Sequence, residues 1–337
     1  MSLLNHYHML TIVIITIILA LAFDFLNGMN DAANSIATVV STRVLRPNFA
    51  VAWAAFFNFA AVFIFGLHVA NTIGKGIVEP HIVNEYMILS ALVGGIIWVY
   101  FCTIYGLPIS VSHSLIGGLI GAGIAKGGVQ VLILSGISKV ILFIFLSPVF
   151  GVILGGIFMI VTQWIFRKWR PQAVDGLFKV GQLVSSAAYS LGHGSNDAQK
   201  TMGVIAILLY STGYLGKDFH IPTWVIFSCY TVIGLGTLVG VKKVIKTLGV
   251  NLTHLKPVGG FCAEISSAFT LFGTALAGIP VSTTHSITGS IMGVGMVNRF
   301  SAVRWGVASN IMMAWVLTIP ASGLMSWLVY TIISWWV

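Results

Sequence analysis

This sequence is poor in charge: only 7% of its 337 residues are Asp, Glu, Lys or Arg, and just 8 are acidic. A chain so short of ionic groups cannot cover a water-facing surface, which excludes an ordinary soluble domain. Cysteine is scarce as well. Cys102, Cys229 and Cys262 all lie in apolar stretches, so neither a disulfide framework nor a metal cluster is indicated. The first apolar run lacks a basic leader segment and a small-residue cleavage site, and it contains Asp24, so it reads as a retained first helix. The formal net charge of +9 does not point to nucleic acid, because the basic residues fall in short clusters between hydrophobic segments. Arg167, Lys168, Arg170 and Lys179 form one cluster, and Lys242, Lys243, Lys246 and Lys256 another. The positive-inside rule places both in the cytoplasm.

What the chain has in abundance is apolar side chains, at 57% of the sequence and a mean hydropathy of +0.98. Long runs recur at 9–23, 49–67, 86–105, 131–166, 222–241 and 305–337, with no room for a soluble domain between them. Two segments occur twice. GMNDAANS at 28–35 returns as GSNDAQKT at 194–201, and LPISVSHSLIGGLIGAGI at 107–124 returns as IPVSTTHSITGSIMGVGM at 279–296. The near-constant offsets, 166 and 172 residues, indicate one duplicated unit.

Polar, Gly/Pro-interrupted segments at corresponding places in two halves point to a secondary transporter with its site between the repeats. The expected fold is an all-α polytopic membrane protein of two inverted-topology repeats, with about ten crossings plus two re-entrant or broken half-helix segments. The first repeat covers 1–170, a basic cytoplasmic linker 171–182, and the second repeat 183–337. In the first half the expected crossings are 9–42 (interrupted), 49–68, 86–106, 129–147 and 148–166, leaving 108–126 as re-entrant. The N- and C-termini then lie outside, while Arg43, Arg46, Lys126 and both basic clusters lie inside. Lys75, Glu79 and Glu85 fall outside; Arg299 and Arg304 fall there too, against the rule.

Four acidic residues, Asp24, Asp31, Asp197 and Glu264, sit within apolar segments. Each costs about 2.5 to 3.5 kcal/mol to insert at that depth and is a functional candidate by default. Asp31 and Asp197 occupy equivalent repeat positions, each preceded by Asn30 or Asn196 and by Gly28 or Gly194. The glycines are expected to break the helix and free carbonyls that join the carboxylates as hard oxygen ligands for a cation. Ser110, Ser112, Ser282, Thr283 and Thr284 follow Pro108 and Pro280, where helices are expected to begin. Free N–H groups, the helix dipole and hydroxyl donors there suit an anion, although Ser and Thr at such positions also serve as plain caps. His113, His285 and His193 stand beside these elements, as structural residues or proton carriers.

At these motifs the sequence resembles the inorganic phosphate transporter (PiT) family, short bacterial type, through FDFLNGMNDAANSIATVVSTR, GHGSNDAQK and the two P-[IV]-S-x-[ST]-H-S blocks. The resemblance implies import of phosphate across the cell membrane on a cation gradient, sodium in some members and protons in others, by a homodimer. It implies that some bacterial members carry phosphate as a neutral complex with a divalent metal. It assigns cations to Asn30, Asp31, Asn34, Asn196 and Asp197, and phosphate to Ser110, Ser112, Ser282, Thr283 and Thr284. No dedicated metal site and no cofactor are expected. Asn34 is matched in the second half by Lys200, where sodium-coupled relatives tend to keep Asn. An ammonium there supplies the charge a sodium ion would bring and repels the ion itself, which favours proton coupling. Glu264 has no acidic counterpart, Leu92 standing at the matching offset, and is a candidate proton carrier. A sulfate permease of the same fold is the nearest alternative. An intramembrane aspartyl protease is a remote one, because Asn30 and Asn196 replace the Gly such enzymes place before Asp.

Overall fold

The computed structural model describes residues 3–336, with side chains described from Tyr7 onward, and these residues form helices and connections without a strand. The helices are α1 (Leu3–Ser41), α2 (Pro47–Ala60), α3 (His68–Gly76), α4 (Glu85–Tyr105), α5 (Val111–Gly127), α6 (Leu134–Phe166), α7 (Pro171–Ser211), α8 (Thr223–Val239), α9 (Lys242–Lys246), α10 (Pro257–Leu276), α11 (Thr283–Asn298) and α12 (Trp305–Ser334). Both halves run through one succession. A helix of 39 or 41 residues comes first, and then a pair bent by 83° (α2, α3) or 72° (α8, α9). A helix of 21 or 20 residues, a Ser-capped helix of 17 or 16, and a long helix with an internal proline, Pro148 or Pro320, complete the unit. Partners are exchanged between halves: α5 lies against α12, α11 against α6, α1 against α8 and α2 against α7.

Among the described residues, α1, α4, α6 and α12 are each long and apolar enough to cross a membrane. Their outward faces carry Ile, Leu, Phe and Trp, as on α6 at Phe145, Ile153, Ile160 and Trp164, where a lipid-facing surface needs no polar cover. The chain is a multi-pass membrane protein. Polar side chains are gathered inside instead, and α5 and α11 are buried from Val111 to Leu119 and from Thr283 to Gly295.

Three expectations need correction. First, the Asn-Asp segments do not interrupt their helices, since α1 and α7 run unbroken through 28–35 and 194–201 and free no carbonyls there. The glycines serve close approach. A Cβ on Gly28 would collide with the carbonyl of Ile233 on α8, and one on Gly194 with the backbone of Asn58 on α2. Replacing a helical Gly by Ala ordinarily favours the helix by about 1 kcal/mol. Gly28→Ala is expected to do the reverse and to cost about 1 to 3 kcal/mol by overpacking, read as a lowered melting temperature in detergent.

Second, the two crossings expected at 129–147 and 148–166 are the single helix α6. Pro148 has no N–H for the carbonyl of Ile144, but His285 Nδ1 lies 3.2 Å from that oxygen and replaces the missing donor. A carbonyl only accepts, so the proton sits on Nδ1.

Third, 108–126 does not turn back. Its near end is tied to the α9 region, where Lys243 Nζ donates to Ile104 O at 2.9 Å and Thr247 Oγ1 to Gly106 O at 3.2 Å. Its far end lies beside the α3–α4 connection, where Glu79 N donates to Val131 O and Ile133 N to Ile77 O, both at 3.0 Å. Residues 107–110 lead in without regular structure, and α5 adds about 25 Å. The lead-in to α11 likewise begins beside Thr72, which donates to Gly278 O, and the chain beyond α11 lies beside Thr253, which donates to Ala302 O. Arg299 and Arg304 therefore share an end with Lys256, Arg304 N donating to Leu252 O, and the objection they raised disappears. Lys126 moves to the opposite end, next to Glu85.

Residues 171–182 are the opening turns of α7, and Gln182 is fully buried.

Candidate functional site

The two Ser/Thr turns meet at the centre of the molecule. Ser110 Oγ accepts from His113 N and Ser282 Oγ from His285 N, both at 3.2 Å, so each serine caps its helix and sets where it starts. The next hydroxyls face a pair of carboxylates. Thr283 Oγ1 lies 3.1 Å from Asp197 Oδ2 and 3.4 Å from Asp31 Oδ2. Thr284 Oγ1 lies 3.5 Å from Asp31 Oδ1, donates to Ile109 O at 3.1 Å and accepts from Asn34 Nδ2 at 2.9 Å. Ser112 Oγ lies 3.4 Å from Asp197 Oδ1.

Lys200 reaches into the same cluster while only 2% exposed. Its Nζ donates to Asp197 Oδ1 and Val281 O at 2.6 Å and to Ser112 Oγ at 2.5 Å. His193 Nε2 is 3.1 Å from Asp197 Oδ2. Asp31, His193 and Asp197 offer ligand atoms within 4.8 Å of one another, a set compact enough to hold a cation. With both carboxylates and the ammonium ionised, the cluster carries one net negative charge in a buried setting. An anion entering alone would be repelled, and one bound cation or proton balances the site.

The remaining candidates separate from this centre. Asn30 Nδ2 donates to Thr103 Oγ1 on α4 at 2.7 Å, and Asn196 Nδ2 to Gly192 O and Leu271 O at 3.0 and 3.1 Å, so both amides tie helices together. The amide oxygens of Asn30 and Asn196 have no partner. Glu264, fully buried, accepts from Thr38 Oγ1, from Gln182 Nε2 at 3.0 Å and from Ser185 Oγ. It forms a station of its own, nearer the basic end. Asp24 stands on α1 on the opposite side of Asp31. His113 and His285 contact each other with ring centroids 4.8 Å apart, and His285 stacks on Trp315 at 3.8 Å. Trp315 Nε1 in turn donates to Pro108 O at 3.1 Å. These rings brace the entry of residues 107–110.

Residue types alone did not reveal several participants. Tyr189 donates to Thr283 O at 3.3 Å, Asn58 meets His193 Nδ1 at 3.0 Å, and Val281 offers only a backbone carbonyl. Asn58 does carry a signal, since it places polar atoms inside the apolar run 49–67.

A family model described as the phosphate transporter family matches residues 27–326. The chain belongs to the phosphate transporter family. A relative from Rhizobium meliloti (strain 1021), named "Probable low-affinity inorganic phosphate transporter", is 54% identical over 93% of this chain and 94% of its own. A namesake from Bacillus subtilis (strain 168) is 40% identical over 97% and 98%. A solved structure named "The sodium-dependent phosphate transporter" is 28% identical, with a TM-score of 0.87 over 97% of this chain and 100% of the other. Family membership makes this a transporter and not an enzyme, which sets aside the aspartyl protease. The sulfate alternative gains no support from these phosphate-named relatives.

Proposed function

We propose that this member of the family imports inorganic phosphate, alone or as its neutral complex with a divalent metal, and that a proton is the coupling ion. The observation that carries the reading is the meeting of two hydroxyl-capped helix starts, α5 and α11, at the Asp31–Asp197 pair. Helix N-termini bind phosphate oxygens through N–H groups and the dipole, and Ser112, Thr283 and Thr284 add hydroxyl donors. The carboxylates can accept from the hydroxyls of protonated phosphate. Sulfate at neutral pH has no such hydrogens, so its approach leaves like charges opposed.

Charge supports the coupling. The site's single net negative charge calls for one proton or cation, and Lys200 already fills the place opposite Asn34 with an ammonium. The exchange of packing partners between halves supports inverted repeats, and the gathering of Arg43, Lys243, Lys256, Arg299 and Arg304 at one end supports a cytoplasmic location for that end.

The test is uptake of labelled phosphate into proteoliposomes, with a pH gradient, sodium, magnesium and competing sulfate varied separately. Accumulation driven by the pH gradient without sodium is expected, and strict dependence on added sodium would overturn proton coupling. Ser112→Ala with Thr284→Ala should raise the apparent KM by at least about 100-fold, because each of the two lost hydrogen bonds to a charged group contributes about 1.5 to 3 kcal/mol. An unchanged KM would remove both hydroxyls from the binding site.

A further inference from the structure

Asp24 is unused by the phosphate site, yet its surroundings are unusual. The side chain is fully buried, and among the described residues it makes no ion pair. Oδ1 accepts from Thr201 Oγ1 at 2.9 Å, whereas Oδ2 has no partner. Asn27, one turn along α1, faces the same carboxyl, and its own Oδ1 is also without a partner. The open Oδ2 and the lack of any ion pair leave a buried carboxylate without charge compensation, and a proton on Oδ2 removes that charge.

Position strengthens the point. Asp24, Asp31 and Thr38, which donates to Glu264, follow one another at seven-residue intervals on α1, about 10.5 Å per step on nearly one face. They form three carboxyl stations, with Asp24 on the side of the chain termini, Asp31 at the phosphate site and Glu264 toward the basic end. The other titratable groups acting on Asp24 are Asp197 and Lys200 from α7 and Cys229 and Tyr230 from α8. Thr201, its hydrogen-bond donor, adjoins Lys200 in sequence. The matching position of the second half holds Ser190, so this station exists once per chain.

We propose that Asp24 is the proton-loading group of the cycle, a role that rests on the proton-coupled reading above. Its carboxylate takes one proton from water reaching it from the terminal side, forming the Oδ2–H bond, and returns that proton to water on the basic side after the protein has reoriented. Phosphate stays outside this exchange, so Asp24 governs net proton-driven movement and not binding.

The experiment compares wild type, Asp24→Asn and Asp24→Glu in proteoliposomes by two assays. One is accumulation of labelled phosphate under a pH gradient, and the other is exchange of labelled for unlabelled phosphate across the membrane with no gradient. Asp24→Asn is expected to lose accumulation at least tenfold while exchange stays within about threefold of wild type, and Asp24→Glu is expected to recover accumulation. If Asp24→Asn accumulates as wild type does, or loses both assays together with Asp24→Glu, this inference falls alone. If wild type accumulates only with sodium, the proton reading falls and takes this inference with it.

Discussion

Asp197→Asn is expected to abolish phosphate uptake, by more than about 100-fold, and to destabilise the protein. Asp197 is the hub of the site, meeting Lys200, Ser112 and Thr283 as hydrogen-bond donors and His193 at 3.1 Å. Asn keeps the shape and loses the charge, taking from the buried Lys200 ammonium the carboxylate that it is hydrogen-bonded to. Breaking a buried pair from one side typically costs about 3 to 5 kcal/mol. Adding Lys200→Met should restore much of that stability without restoring uptake, because transport also needs the carboxylate opposite Asp31. The two losses are thereby separable by a double-mutant cycle. Melting in detergent and uptake per reconstituted molecule are the measurements, and normal uptake by stable Asp197→Asn would remove Asp197 from the transport machinery.

Lys200→Asn should change the ion that drives transport. The ammonium is held by a carboxylate oxygen, a backbone carbonyl and a hydroxyl at 2.5 to 2.6 Å, a set of hard oxygen donors of the kind that suits a small cation. Asn at this position restores the residue the first half carries at Asn34 and vacates the place of the charge. In sodium-free buffer, uptake is expected to fall at least tenfold, since Asp197 then lacks the ammonium that balances its charge. Added sodium should recover a large part of it, with no such response in wild type. Unaltered sodium-free uptake, or a loss that sodium leaves untouched, would show that the ammonium does not stand in for an ion.

Much of this machinery was legible in the sequence. The two repeats, the buried acids and the Ser/Thr turns named Asp31, Asp197, Ser112, Thr283, Thr284 and Lys200, and the structure brings all six together. The misreadings share one origin. The glycines at 28 and 194 let another helix's backbone approach where the sequence suggests a break, and the expected boundary between 147 and 148 is spanned because His285 repairs the hydrogen bond that Pro148 opens. Each outcome was decided by a residue on another helix, more than 100 positions away along the chain. Gln182, at the end of the expected basic linker, is likewise placed by a residue on another helix, donating to Glu264 82 positions away.

The sequence by itself determined that this chain lives in a membrane, that its two halves carry the same motifs in the same order, and which polar residues must justify their burial, because composition, periodicity and motif spacing are properties of the chain alone. Only the tertiary structure decided that Asn30 and Asn196 tie helices together, that Ser110 and Ser282 cap them, and that Asp24 and Glu264 stand apart from the central pair. Those roles depend on which donors and acceptors face one another across helices, and in a dry interior every such group must find a partner or remain conspicuous without one.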